Sequence, residues 1–371
     1  MPHFSRGKVV WWVIVSLLAS TCGFAAQRFS IPGGWLVASI LVAVVAGLLR
    51  PEHPRVSRKA LFGAQAVIGT MLGSSFRPEV LPDVVLHLPA IMGVLAVAIG
   101  LSLLAGIVMG RVSPIDQKTA TLGTLPGGAS AMLAMSVDVG ADTRTVVLMQ
   151  YLRMVLVVLS ASAVAGILGG SSGQTAVRPP VTSVTHPWSD FALSPVIAIV
   201  GAFGARLIHV PTAAFLGPVL LGVLGSAFHL FTPVWPAIVP EIAYVIMGMY
   251  VGLLFDRASL LQAGKLLPLM LANIVVLLVG CGVSGFVFAD VAGASQLSGY
   301  LATSPGGLDS VAIIAIGSGA DVSLVLSVQI VRMLTVVVAG PFIVRGIAGK
   351  LHRPAPKAKR GKRQKEDTVL D

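Results

Sequence analysis

The sequence contains an internal repeat that interrupts apolar segments at matching positions. Residues 126–154 align without a gap with residues 305–333, and 10 of the 29 positions are identical. Each copy opens with Pro-Gly-Gly, continues with Gly-Ala-Asp and ends with Gln-x-x-Arg-Met. The same offset of 179 positions pairs Gly69 with Gly248 far outside this stretch. The chain is therefore expected to consist of two homologous units, each with an arginine inside an apolar helix.

Long apolar runs place the chain in a membrane. Hydrophobic residues make up 55% of the 371 positions and charged residues 11%, whereas about a quarter of a soluble domain is charged. Runs of roughly 17 to 25 apolar residues match the length of a helix that crosses a bilayer. The predicted fold is an all-α polytopic membrane protein with two tandem repeats, about 10 transmembrane helices and two broken Pro-Gly-Gly segments.

Each unit contains six apolar segments. The units are predicted at 1–179 and 180–350, followed by a basic, disordered tail at 351–371. In the first unit the segments lie near 9–26, 34–49, 60–76, 84–109, 117–137 and 143–168. In the second they lie near 190–207, 213–230, 238–255, 266–289, 298–318 and 322–344. The fifth segment of each unit carries the Pro-Gly-Gly break.

The distribution of basic residues favours re-entrant fifth segments. If these segments re-enter, the units are inverted, and the lysines and arginines of the loops divide twelve to three in favour of the inner side. If they cross, the units are parallel and the division falls to nine to six. Basic residues concentrate on the cytoplasmic side of membrane proteins, so the sequence predicts ten crossings and inverted repeats, with both termini inside.

The Pro-Gly-Gly breaks predict half-helices within the membrane. Proline removes a backbone donor, and glycine allows backbone conformations that end a helix. Because lipid cannot satisfy the backbone polar groups left at such a break, the break must be buried in protein or line a cavity. The half-helix that follows presents free N–H groups and the positive end of its dipole, which can bind an anion or a carboxylate. A purely structural kink is the alternative. The residues predicted to line this substrate site are Pro126, Gly127, Gly128, Ser130, Pro305, Gly306, Gly307 and Asp309.

The repeated arginines are predicted near the middle of the bilayer. Each lies eleven residues after the aspartate of the Gly-Ala-Asp motif, about 16 Å along a helix, and a charge at that depth is costly. We predict that they face the broken segments and bind an anion, together with the glutamines three residues earlier. A buried structural pair, bonded to carbonyls of the hairpins or to an aspartate, is the alternative. The predicted anion-binding side chains are Gln150, Arg153, Gln329 and Arg332.

Three aspartates accompany these motifs. Asp142 and Asp321 are predicted to be N-caps of the last helix of each unit, with ion coupling as the second interpretation. Asp309 stands where the first copy has Ser130. An intramembrane carboxylate at that position could pair with Arg332, cap the half-helix or carry a proton.

The sequence predicts no metal, no cofactor and no catalytic residues. Its seven histidines show no metal-binding spacing, and its two cysteines lie apart within apolar segments. Motifs for nucleotide phosphates, dinucleotides and serine nucleophiles are absent. We therefore do not expect an enzyme.

The net charge of +11 is concentrated at one end of the chain. Nine of the 26 lysines and arginines lie after Phe342. A basic tail beside a membrane helix is expected to bind anionic lipid, so direct contact with nucleic acid is not predicted. The expected partners are the lipid bilayer and a small solute or ion. Glycine pairs at 69/73 and 248/252 resemble helix-packing motifs, which could pack within one chain or in a homo-oligomer.

With both copies of the repeat motif taken together, residues 10–350 resemble the AbrB-like duplicated membrane proteins of bacteria. Members of that family are labelled regulators of gene expression, and some ammonia monooxygenases. The resemblance implies a duplicated membrane fold and, through the first label, an effect on transcription. The second label fits this sequence badly, because clustered histidine ligands for copper are missing.

The leading hypothesis is a secondary transporter or permease in the bacterial inner membrane. Its solute would be small, with anions the favoured class, and would bind at mid-membrane between the repeats. The alternative is a membrane-embedded regulator of gene expression that acts through a partner and transports nothing.

Overall fold

The computed structural model is built from helices joined by short connections. It describes residues 6–50, 55–75, 81–126, 132, 135–137, 139–168, 187–207, 212–227, 233–236, 238–255, 257, 261 and 264–350. The predicted boundary between the units at 179/180 and the predicted tail at 351–371 lie outside these residues.

The helices of the predicted first unit follow its apolar segments. They are α1 (Arg6–Arg28), α2 (Gly34–Leu49), α3 (Arg58–Ser75), α4 (Leu81–Leu86), α5 (Leu88–Val112), α6 (Gln117–Thr124) and α7 (Thr143–Leu168). The second unit contributes α8 (Pro187–Leu207), α9 (Ala213–Ala227), α10 (Ile238–Gly252), α11 (Leu267–Ala292), α12 (Gln296–Thr303), α13 (Leu308–Ser318) and α14 (Val322–Lys350). The predicted all-helical membrane fold is confirmed.

Four of the described helices are long and apolar enough to cross a membrane. They comprise Val9–Arg28 within α1, and all of α5, α7 and α11. Shorter apolar helices, such as the 16-residue α2, reach about 24 Å at 1.5 Å per residue. That is less than the hydrocarbon thickness of about 30 Å. The total of ten crossings therefore stays a prediction.

Prolines set the start of the fourth long segment in each unit. The apolar segment predicted at 84–109 is divided in the structure, because α5 begins at Leu88 with Pro89 in its first turn. At the matching place, α11 begins at Leu267 with Pro268 in its first turn. Proline is tolerated in a first turn, where an N–H has no helical acceptor, so both helices start at a proline.

The two ends of the segment containing α12 and α13 lie side by side. The backbone N–H of Asp321, which follows α13, donates to Ser298 Oγ near the start of α12 at 2.8 Å. In the first unit the N–H of Asp142 donates to Thr119 Oγ1 at 2.8 Å. Ends that lie side by side fit the predicted re-entrant hairpin, and the position of these segments in a membrane stays a prediction.

Glycines interlock helices from the two predicted units. On α3, a Cβ added to Gly73 would lie 2.8 Å from Gly222 Cα of α9. On α10, a Cβ added to Gly248 would lie 2.8 Å from Leu36 O of α2. Helix α3 therefore packs closely on α9, and α10 on α2. These small-residue faces join the two units within one chain, which decides between the two packings that the sequence left open.

Alanine at these contacts should destabilise the protein. We expect Gly73→Ala and Gly248→Ala each to lower the free energy of unfolding by about 1–3 kcal/mol, because the added methyl group overpacks two close backbones. Thermal unfolding in detergent, followed by size-exclusion chromatography of the remaining folded protein, measures the effect. Gly63→Ala on α3 is the matched control, since a Cβ there meets no atom within 4 Å. Equal melting temperatures for all three variants would contradict the packing.

Candidate functional site

The C-terminal end of α12 is held by two side chains of α14. Gln329 Nε2 donates to Leu301 O at 2.9 Å and to Ser304 O at 3.2 Å. Arg332 Nη1 donates to Ser304 O, and its Nη2 donates to Gly306 O at 2.8 Å. The last carbonyls of a helix lack helical partners. Here a buried amide and a buried guanidinium supply the missing donors.

The first unit repeats this arrangement. Gln150 Nε2 donates to Leu122 O at 2.8 Å and to Leu125 O at 3.1 Å. Arg153 Nη1 donates to Thr124 O at 3.0 Å and to Leu125 O at 2.9 Å, while its Nη2 donates to Gln150 Oε1 at 2.5 Å. The glutamine acceptors Leu122 and Leu125 match Leu301 and Ser304 at the offset of 179.

The arginines contact the carbonyl end of the half-helix that precedes each break. That end carries the negative pole of the helix dipole, which attracts a cation. The hydrogen bonds correspond to the structural alternative in the sequence analysis, with arginine bonded to carbonyls of the hairpin. Binding of an anion by Gln150, Arg153, Gln329 and Arg332 stays a prediction.

Burial makes these contacts energetically important. Arg153 is 5% exposed and Arg332 4%, and within the described ranges they are the only charged side chains that are fully buried. Each lies ten residues into its helix, about 15 Å from the start at 1.5 Å per residue. An unpaired charge at that depth is strongly unfavourable, so the carbonyls and the guanidinium groups stabilise one another.

The two buried guanidinium groups have no carboxylate partner among the described residues. No ion pair to Arg153 or Arg332 is found in that part of the chain, and their hydrogen bonds go to carbonyl and amide oxygens. Arg332 Nε and Gln329 Oε1 are buried without a hydrogen-bond partner. A buried cation with an unused donor therefore lies near the second break.

The aspartates of the Gly-Ala-Asp motifs lie at helix starts. Asp142 Oδ1 accepts from Arg144 N at 3.1 Å, and Asp321 Oδ1 accepts from Leu324 N at 3.0 Å. These are the contacts of helix N-caps. The hydroxyls of Thr119 and Ser298, which bind the aspartate N–H groups, were not predicted. The offset of 179 pairs two hydroxyl residues there and would have revealed them.

Asp309 lies in the first turn of α13, directly after the second break. Its Oδ2 accepts from Gln65 Nε2 of α3 at 3.4 Å, and its Oδ1 accepts from Ser310 N at 3.2 Å. The predicted partner Arg332 bonds to Ser304 and Gly306 instead. Gln65 was not predicted, and the repeat gives no signal for it because its counterpart is Tyr244.

The other predicted lining residues are partly described. Pro126 and Pro305 are buried, and Gly306 and Gly307 are partly buried. Gly127, Gly128 and Ser130 lie outside the described residues. No group of three or more histidine, cysteine, aspartate or glutamate side chains able to hold a metal ion was found in the part of the chain that the structure describes.

These features define a helical membrane protein with interrupted hairpins braced by buried arginines. A family model described as "Transition state regulatory protein AbrB" matches residues 7–348, so the chain belongs to the AbrB family. The family resemblance inferred from the repeated motifs is confirmed.

Two relatives align with nearly the whole chain. One, from Escherichia coli (strain K12), carries the name "Putative regulator AbrB" and is 32% identical over 353 residues, which cover 94% of this chain and 98% of the relative. Another is "Uncharacterized protein YhjN" from Bacillus subtilis (strain 168). It is 27% identical over 355 residues, covering 90% of this chain and 91% of its own length.

Removing a bracing arginine should destabilise the protein even without ligand. We expect Arg153→Met and Arg332→Met each to lower the free energy of unfolding by about 1–3 kcal/mol, because buried carbonyls lose their donors. Thermal unfolding in detergent measures the change. Arg144→Met is the control, since Arg144 is exposed at the start of α7. An arginine that serves only a ligand would give the opposite sign, because its removal takes out of the buried interior a charge for which the described residues offer no carboxylate partner.

Proposed function

We propose that the protein is a secondary transporter of a small anionic solute. The solute binds at mid-membrane, between the broken segment of one unit and the last helix of the other. Carboxylates and inorganic oxyanions are the favoured classes. The observation that carries the proposal is the buried guanidinium group of Arg332, whose Nε has no hydrogen-bond partner and for which no ion pair is found among the described residues.

An anion would complete this charge arrangement. The carbonyls at Ser304 and Gly306 accept hydrogen bonds from Arg332, but they carry only partial charges. A bound anion would offset the remaining positive charge and could accept from Arg332 Nε, which has no protein partner. Polar groups of this kind inside a membrane commonly mark the path of a substrate or ion.

The position of the second break supports a site between the units. A Cβ on Gly306 would lie 2.7 Å from Val157 of α7, and one on Gly307 would lie 2.9 Å from Met154 of α7. The break thus lies between α7 of the first unit and α14 of the second. Many transporters bind substrate near the bilayer midplane at the interface of two repeats, where helices are discontinuous.

The same proposal places the protein in the bacterial inner membrane with both termini in the cytoplasm. The twelve-to-three division of loop lysines and arginines supports this orientation. The basic tail at 351–371 then faces anionic lipid headgroups. We propose neither an enzymatic reaction nor contact with nucleic acid.

An anion that binds at this site should stabilise the purified protein. We expect at least one of sodium phosphate, sulfate, acetate and glutamate to raise the melting temperature in detergent at constant sodium concentration. A ligand that binds only the folded state adds about 2.7 kcal/mol of stability at a hundredfold excess over Kd. Uptake of the same radiolabelled anion into proteoliposomes then tests transport.

Lysine variants separate the site from the fold. Arg332→Lys keeps the positive charge but removes Nε, so it should weaken the shift caused by the anion relative to its own ligand-free melting temperature. Arg144→Lys should respond as the unmodified protein does. If Arg332→Lys also responds fully, or if none of the four anions stabilises the unmodified protein, the proposed site is wrong.

A second function is favoured by the name of a relative. The Escherichia coli relative is named a regulator, and the family description also refers to regulation. A regulator in the membrane would act on transcription through a partner protein, for which the basic tail is the candidate contact.

Deletion of residues 351–371 distinguishes the two functions. Transport should persist at unchanged rate, because the proposed site lies wholly within the helices. A regulator that signals through the tail should instead lose its effect on transcript levels. RNA sequencing of cells that carry the complete or the truncated chain measures this effect, and equal membrane levels of the two forms are the control.

A further inference from the structure

Asp309 is a partly buried carboxylate at the start of α13 that lacks a cationic partner among the described residues. Its two contacts are the N–H groups of Gln65 and Ser310. No lysine, arginine or histidine within the described ranges forms an ion pair with it. The first unit has Ser130 at the matching position, so the carboxyl group is present in one unit alone.

A second polar group, next to Asp309, has no hydrogen-bond partner at all. Ser310 Oγ is fully buried and makes no hydrogen bond. A Cβ added to Gly307 would lie 3.1 Å from Asp309 Oδ1 and 3.8 Å from Ser310 Oγ. Both oxygens therefore lie close to Gly307 at the start of α13, where Met154 of α7 also lies 2.9 Å from such a Cβ. An unused hydroxyl beside a carboxylate can exchange a hydrogen bond with either protonation state.

The surroundings suit a proton better than a metal ion. The groups that contact the carboxylate are N–H donors, whereas hard cations such as Mg²⁺ or Ca²⁺ require about six or more oxygen ligands. The N-terminal end of α13, where Asp309 lies, has positive polarity that favours the ionised carboxylate, whereas partial burial without a cationic partner favours the neutral acid. A proton on the carboxyl group needs no shell of oxygens.

Ionisable groups on the helices packed against α13 are few. On α3, Gln65 is the residue in contact, and the basic residues of that helix lie at its start, one to two turns away. Arg153 of α7 and Arg332 of α14 are bonded to carbonyls at the ends of the half-helices. Tyr300 of α12 donates to Ser160. The groups concerned are Arg58, Lys59, Tyr151, Arg153, Tyr300 and Arg332.

We propose that Asp309 is the proton-binding group that couples proton movement to anion transport. The inference rests on the proposed function. Arg332 reaches Gly306 O, and Asp309 Oδ1 borders Gly307, so the anion site and the carboxylate lie on neighbouring peptides. Uptake of one proton from water converts the carboxylate to a neutral acid and removes a negative charge beside the anion. Proton and anion therefore favour each other's binding, and the coupling is reciprocal. The expected process is symport of a proton with an anion.

Infrared spectroscopy tests the proton site without an anion. Because the chain has 15 aspartates and glutamates, the signal of Asp309 is the difference between the titrations of the unmodified protein and of Asp309→Asn in lipid. That difference should contain the carbonyl stretch of a protonated carboxylic acid at acidic pH and lose it at alkaline pH, and Asp309→Glu, which retains a carboxyl group, should keep such a band. Asp290→Asn is the control, since Asp290 is exposed at the end of α11 and its difference band is that of an exposed carboxyl group. No titrating difference band for Asp309→Asn, or one identical to that of Asp290→Asn, overturns the proposal.

The coupling is tested with the anion probes phosphate, sulfate, acetate and glutamate. In the unmodified protein, the Kd of a binding probe should rise by up to about tenfold per pH unit above the titration of the carboxyl group, because one proton is taken up with each anion. Asp309→Asn should bind with one affinity throughout, after correction for ionisation of the probe itself. The same pH dependence in Asp309→Asn contradicts the coupling. If no probe binds any form while the Asp309 band still titrates, the anion proposal fails and the proton site stands.

Discussion

The broken segments depend on donors supplied to the last carbonyls of a half-helix. A helix that stops inside a membrane leaves backbone acceptors that neither water nor lipid can satisfy. Gln329 and Arg332 satisfy them in the second unit, and Gln150 with Arg153 in the first. The arginines in turn are tolerated at that depth because the carbonyls and the dipole offset part of their charge. The buried arginines therefore stabilise the helix breaks, and the carbonyls at the breaks stabilise the buried arginines.

This dependence separates what an arginine does for the fold from what it could do for a solute. The Nη groups of Arg332 are used by the hairpin, while its Nε is free. One side chain can hold the half-helix and still offer a donor and a charge to an anion. The aspartate on the neighbouring half-helix gives the second break both signs of charge within a few residues. The first unit has a serine there, so the two breaks are chemically different although the sequence motifs around them match.

The sequence predicted the helical membrane fold and the family. These follow from apolar length and the repeated motif, which are local or periodic signals. The re-entrant form of the broken segments was inferred from the count of basic residues and stays a prediction. It placed the arginines at the breaks, but it could not choose between the carbonyl end of one half-helix and the N–H end of the next. Both ends lie within four residues of Pro305, and only three-dimensional packing selects one. The contact of Gln65 with Asp309 was not predicted, because Gln65 lies on another helix, 244 positions earlier, and has no counterpart in the repeat.

The packing of helices of one predicted unit on helices of the other also has a consequence for biosynthesis. Gly248 of α10 packs on Leu36 of α2, which precedes it by 212 positions. At a synthesis rate of roughly 5–20 residues per second, α2 waits about 10–40 s for its partner to emerge. During that interval the small-residue face of α2 is covered only by lipid or by other proteins of the membrane. The contacts between α2 and α10 can therefore form only after most of the chain has been synthesised, so the first half exists for that time without them.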